Sequence, residues 1–201
     1  MTAPSSYDVR GGIRNWESAL GNEWLGDCVI AAVEQLRKCH NVTSASTWRK
    51  ILYRLGFRVP HEAYSIQIYT EYLATIGEKP GPTVGVDPQA FFVYAKAKGL
   101  IKDFGTVDVS NLDAIKQAMV DHRGCLLELD LTPDAYVAGS VPGARWLIGN
   151  GPNYVPSPKF EHAIALVEYN VSTYACVTWG FLVYLTPDFF AKCVQGCWWF
   201  E

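Results

Sequence analysis

The sequence predicts an α+β protein with a helical N-terminal lobe, an antiparallel β C-terminal lobe and a cleft between them. Two observations carry this. Apolar residues recur at helical spacing through most of the first 124 positions. From residue 125 onward they gather into short runs rich in β-branched and aromatic residues, the signature of strands. A chain of 201 residues is long enough for one good core or for two small lobes that share a cleft. It has 49% hydrophobic and 18% charged residues, a globular rather than a disordered composition.

The first helix is expected from Cys28 to about His40, with Val29, Ala32, Val33 and Leu36 on one face and Asp27 as N-cap. Residues 47–57 read as a second helix ending near Gly56, and 65–77 as a third, stopped by Gly77 and the Pro-Gly-Pro break at 80–82. Residues 87–100 form a fourth, with Asp87 capping, Pro88 in the first turn and Gly99 at the end. Residues 110–124 form a fifth. Strands follow at 125–131, 162–169, 174–179 and 181–185. The Gly/Pro-rich stretch 139–161 is too long for an ordinary connection and reads as a functional or specificity loop. The expected organisation is a single domain over 1–201. Its helical lobe covers about 22–124 and its β lobe about 125–201, with segment 1–21 packing across them.

Composition excludes several classes. The net charge of −3 gives no basic excess to displace counterions, so nucleic acid is not an expected partner. No apolar run approaches the roughly 18 residues of a membrane span. The opening MTAPSSYDVRGG lacks a basic stretch followed by an apolar one, so no signal peptide is expected. The six cysteines are therefore expected as reduced thiols. Only Cys193 and Cys197 lie close together, and no second pair completes a metal set, so no metal and no cofactor are expected. Asn41-Val-Thr43 and Asn170-Val-Ser172 match the glycosylation pattern by chance on this reading.

The chemistry centres on Cys28. A thiol at the first position of a helix meets unpaired N–H groups and the positive end of the helix dipole, and both favour thiolate. A nucleophilic cysteine needs a base, and the base needs a group to hold its ring. Of four histidines, His40 and His122 lie at helix ends in charged surroundings and read as solvated; His61 reads as an exposed loop residue. His162 instead opens an apolar strand. If that strand pairs with 174–179 through a three-residue loop at Asn170–Ser172, His162 faces Gly180 and Thr178 is its diagonal neighbour on one face. A two-residue loop puts them on opposite faces. Thr178 has a hydroxyl that can accept from the imidazole.

These residues, in this order, resemble papain-like cysteine peptidases. Tyr7-Asp8-Val9-Arg10 is similar to the start of the family's mature domain. Cys28 opens a helix, "HAIALVEY" (162–169) matches the family's histidine strand, and "VTWG" (177–180) stands where the family has Asn-Ser-Trp-Gly. The resemblance implies that Cys28 is the nucleophile, His162 the general base and Thr178 its orienting group. It also implies that Asn22, six residues before Cys28, shares the oxyanion hole with the Cys28 backbone N–H. Three departures stand out: Thr178 replaces asparagine, Asn22 replaces the longer glutamine, and Asp27 stands where the family has a small residue. The Asp27-Cys28 pair is also similar to bacterial cell-wall peptidases, but the Trp-Gly turn fits the papain pattern better. The compact form is similar to papain-like proteins of bacteria and phages that lack a propeptide.

The leading expectation is a cysteine-dependent peptidase or isopeptidase acting on a peptide or protein substrate, in the cytoplasm or associated with a virion. The alternative is a catalytically weak or inactive papain-fold module, for example a virion or assembly component. A cell-wall amidase or acyl transferase is the third. Trp198, Trp199 and Phe200 cannot all face inward on one strand, which suggests apolar surface for a protein partner or self-contact at the C-terminus.

Overall fold

The computed structural model describes residues 3–11, 13, 16, 19–44, 62–139 and 141–201. The expected helix at 47–57 and His61 lie outside them. The helices are α1 (Cys28–Ser44), α2 (Glu62–Thr75), α3 (Pro88–Ala97), α4 (Leu112–His122), α5 (Pro133–Ala138) and α6 (Pro187–Cys193). The strands are β1 (Tyr7–Asp8), β2 (Phe104–Thr106), β3 (Cys125–Asp130), β4 (Arg145–Trp146), β5 (Glu161–Tyr169), β6 (Tyr174–Thr178), β7 (Phe181–Leu185) and β8 (Val194–Phe200). This is the expected α+β class. None of the described helices is long and apolar enough to cross a membrane.

One sheet runs in the order β2-β8-β3-β5-β6-β7-β4, with β1 added to the end of β5. All pairings are antiparallel except β4 with β7. Both faces are covered. Val29, Ile30, Val33 and Leu36 of α1 pack with Ile68, Tyr69 and Leu73 of α2 and Phe91 and Phe92 of α3 against Leu126, Ala163, Ala165 and Val177. On the far face Ile115 and Met119 of α4 join Leu127, Leu129, Ile164, Leu166 and Phe189. Thus α4, which its sequence position groups with the helical half, packs on the opposite side of the sheet. The segment before α1 lies along the first core through Val9, Ile13 and Trp16.

The C-terminal strand β8 lies between β2 and β3. Its side chains alternate as expected, but both directions lead inward. Trp198 and Phe200 enter the helix-side core, and Trp199 stacks on His122 at 3.9 Å on the other face. The premise that one face must be left open therefore does not hold. His122 and His40 are correspondingly packed, not solvated. The His40 ring lies 5.1 Å from Phe200 with Nε2 3.2 Å from the Arg123 carbonyl, and burial pushes its pKa down to about 4.

Capping follows the sequence at α3, and α4 is capped by a residue the sequence reading did not single out. Asp87 accepts from the Ala90 amide at 2.7 Å and Asn111 from the Ala114 amide at 3.0 Å. It departs from expectation at α1. The Asp27 carbonyl accepts from Ala31 at 2.9 Å, but its buried carboxylate oxygens find no partner among the described residues. The side chain is turned inward toward Gly21 and so does not cap the helix.

The turn leading to α1 is locked to the loop before α3. The Gly26 amide donates to Gly81 O at 3.1 Å, and Tyr69 Oη donates to Val84 O at 2.6 Å. A Cβ on Gly26 would stand 2.3 Å from Val84 O, and a backbone carbonyl fixed from both sides cannot yield. Gly26→Ala is expected to destabilise the protein by about 2–3 kcal/mol in urea unfolding. An unchanged midpoint would show that the loop is free to shift.

Candidate active site

Cys28 is the first residue of α1, and His162 stands at the start of β5. Both line a cleft of about 750 Å³ between the loop 82–88 and the sheet end formed by β3 and β5. Asn22 lines the same cleft from the turn that precedes α1. A void of about 10 Å³ behind the thiol, room for one water, is lined by Asn22, Cys28, Gln35, Ala163 and Thr178. The structure thus gathers Cys28, His162, Asn22 and Thr178 around one point.

His162 is held on two sides. Its Nε2 lies 2.5 Å from Thr178 Oγ1, and its ring stacks on Trp179 at 4.3 Å and 13°. With the Nε2 proton donated to the hydroxyl, Nδ1 carries the lone pair and is the nitrogen left for the cleft. No hydrogen bond among the described residues joins His162 to Cys28; the thiol instead lies beside the Ala163 amide. Trp179 adopts φ 45° and Gly180 φ 78°, a turn that folds the indole back over the imidazole. Gly139 gives that indole its space, since a Cβ there would stand 1.9 Å from it. The motif at 177–180 contains Trp179 but does not by itself disclose this role. The Trp-Gly pair after a hairpin was the available signal.

The hairpin reaches this geometry by an unexpected route. Tyr169 pairs with Tyr174, so the loop has four residues, 170–173, not three. Asn170 Oδ1 accepts from the amides of Ser172 and Thr173 and closes that turn. The register then shifts between Leu166 and Glu168, so that Leu166 pairs with Cys176 and Ala165 with Val177. One bulge restores the parity that an odd loop supplies, and Thr178 arrives on the histidine's face.

The electrostatics differ from the thiolate expected at a helix start. Burial pushes the Cys28 thiol up to about 11, and the Asp27 charge adds to this; the amides of Ala163, Val29 and Cys28 itself pull the other way. Burial pushes His162 down to about 3. The free cleft therefore holds a neutral thiol and a neutral imidazole. Burial also pushes Asp27 up to about 8, with Glu23 and Glu62 nearby in the same direction. Near neutral pH Asp27 is a neutral acid, and its charge acts on the thiol only in more alkaline solution.

Two outcomes follow. Between its unfolded value near 4 and its folded value of about 8, Asp27 binds a proton only in the folded state. Its contribution is therefore fully present below pH 4, is lost as pH rises to 8, and is level above that. Relative to Asp27→Asn, the wild type should lose a few kcal/mol of stability across this window in urea titrations. A difference that stays constant with pH would mean that the carboxylate has found a partner. Separately, Cys28 is the one partly exposed thiol among six, the other five being buried. Iodoacetamide should modify it first, at a rate that climbs through the alkaline range. A rate already saturated at pH 6 would reveal an ion pair with His162.

No family model matches the sequence, and no curated protein matches it either. Solved structures do. Xylellain, a cysteine protease from Xylella fastidiosa, aligns over 99% of this chain and 86% of its own, with a TM-score of 0.58 and 10% identity. A digestive procathepsin L 3 from the larval midgut of Tenebrio molitor aligns over 100% of this chain and 71% of its own, with a TM-score of 0.64 and 9% identity. The α+β architecture of this chain is the fold of papain-like cysteine proteases.

Proposed function

We propose that the protein is a cysteine-dependent hydrolase of peptide or isopeptide bonds. The observation that carries this is the restraint of His162 by Thr178 and Trp179, which leaves Nδ1 for the cleft that Cys28 also lines. Nothing about packing alone requires a histidine to be held on two sides at the mouth of a cleft.

In this reading Cys28 Sγ attacks the scissile carbonyl while His162 Nδ1 takes the thiol proton. Starting from a neutral pair, the proton moves as the S–C bond forms. The oxyanion is met by the Cys28 backbone N–H and the Asn22 side chain. Collapse breaks the C–N bond, and His162 returns the proton to the leaving amine. Water, deprotonated by the same nitrogen, then cleaves the thioester and regenerates the thiol. Thr178 acts through His162 as its positioning residue.

A papain-fold binding or structural module is the second reading. It is favoured by the neutral state of both Cys28 and His162 and by the lack of a hydrogen bond between them.

Hydrolysis of a fluorogenic peptide and isopeptide panel tests the proposal. Cys28→Ala and His162→Ala should abolish turnover. Thr178→Val should lower kcat at least about tenfold, because the ring loses its tautomer and orientation, whereas Thr178→Ser should stay close to wild type. Absence of turnover across the panel, with Cys28 alkylation indifferent to His162→Ala, would favour the binding module.

A further inference from the structure

Three carboxylates line the cleft, those of Asp87, Glu128 and Glu161, against one ammonium, that of Lys159. Asp87, Glu161 and Lys159 are exposed at the rim. Glu128 is different: it is half-buried in β3, on the cleft floor. Its register partners are Ala163 on β5 and Gly196 on β8. Directly paired residues share a face, so Ala163, Glu128 and Gly196 form one row across three strands. The row has a methyl group on one side of the carboxylate and a hydrogen on the other, which leaves a hollow around it.

The hollow is built around that side chain. Glu128 Oε2 lies 2.6 Å from the point where a Cβ on Gly196 would stand, so the carboxylate rests over the glycine and a larger residue there would push it aside. The Trp198 Nε1 lies 3.3 Å from the same point, a buried donor beside the acid. Buried Val86 and Pro88 form part of the opposite wall. Among the described residues no cation pairs with Glu128. Burial raises its pKa, the Trp198 indole N–H pulls it back down, and the charges of Asp87, Glu161 and Asp130 add to the rise. Apolar walls with a carboxylate at the bottom that has no cation partner among the described residues suit a side chain with a long aliphatic stem and a cationic head.

The hollow also adjoins the chemistry. Ala163 follows His162 and presents its amide to the Cys28 thiol. Glu128 is one strand spacing from it, about 5 Å. We infer that Glu128 determines substrate specificity, selecting a lysine or arginine side chain close to the scissile bond. This rests on the hydrolase reading and adds the substrate class to it.

The test uses internally quenched fluorogenic peptides with lysine, or its uncharged analogue norleucine, at each of the two positions on either side of the scissile bond. At one position kcat/KM should favour lysine by about tenfold, the scale of one charge-assisted hydrogen bond. Glu128→Gln should bring that ratio close to one, and Glu128→Lys should reverse it toward glutamate. In parallel, the full-length Cys28→Ala variant is titrated with the same labelled peptides by fluorescence anisotropy. Hydrolysis without discrimination between lysine and norleucine overturns the role of Glu128 and leaves the hydrolase standing. A Glu128-dependent lysine preference in binding, without hydrolysis by the wild type, supports the selection and overturns the hydrolase. A lysine preference that survives Glu128→Gln moves the selection to the rim acids and overturns the inference.

Discussion

The bond between His162 Nε2 and Thr178 Oγ1 depends on a single slip of register in β5, between Leu166 and Glu168. A strand has a period of two, so a shift of one residue moves every later side chain to the other face. Without the slip, the four-residue loop at 170–173 sends Thr178 away from the ring and breaks the continuity of two cores. With it, Ala163 and Ala165 face the helices while Ile164 and Leu166 face α4 and α6. The same slip that assigns these apolar residues to their layers delivers the hydroxyl to the imidazole. Packing and site geometry are here one constraint.

Much of this was legible in the sequence. The position of Cys28 at a helix start, the strand opened by His162 and the cap Asp87 all follow from local patterns, and local patterns survive folding where a chain has one dominant period. The class of fold followed from the change of period near residue 125. Other features depend on distant chain segments and leave no local trace. The bulge in β5 answers to the needs of two faces at once. Helices α5 and α6 are only six and seven residues long, too short to show a period. The central place of β8 comes from its pairing with β2 and β3. Asp27 looked like a helix cap because its type and position suit one; only the tertiary structure turns its carboxylate away from the amides.

The electrostatic character of the cleft follows from dryness more than from charge. The helix dipole and three backbone amides favour thiolate at Cys28, but these are short-range effects of partly screened dipoles. Removal of water from sulfur and imidazole is the larger effect, and it neutralises both. A substrate that brings its own dipoles enters a site with little competing solvent. A polar transition state is then stabilised by few groups, each acting at low effective dielectric.

The two walls of the cleft differ in mechanical independence. On the helical side, the loop bearing Val86 is tied through Tyr69 and Gly26 to the turn that aims Cys28, so its residues and the nucleophile move as one piece. On the sheet side, Glu128 projects from a strand whose register is fixed by hydrogen bonds that do not involve its side chain. Drift in the loop disturbs chemistry and recognition together. Drift at position 128 alters recognition alone. A lineage carrying this fold can therefore change what it binds by single substitutions on the sheet, while the helical wall is held constant by its attachment to the thiol.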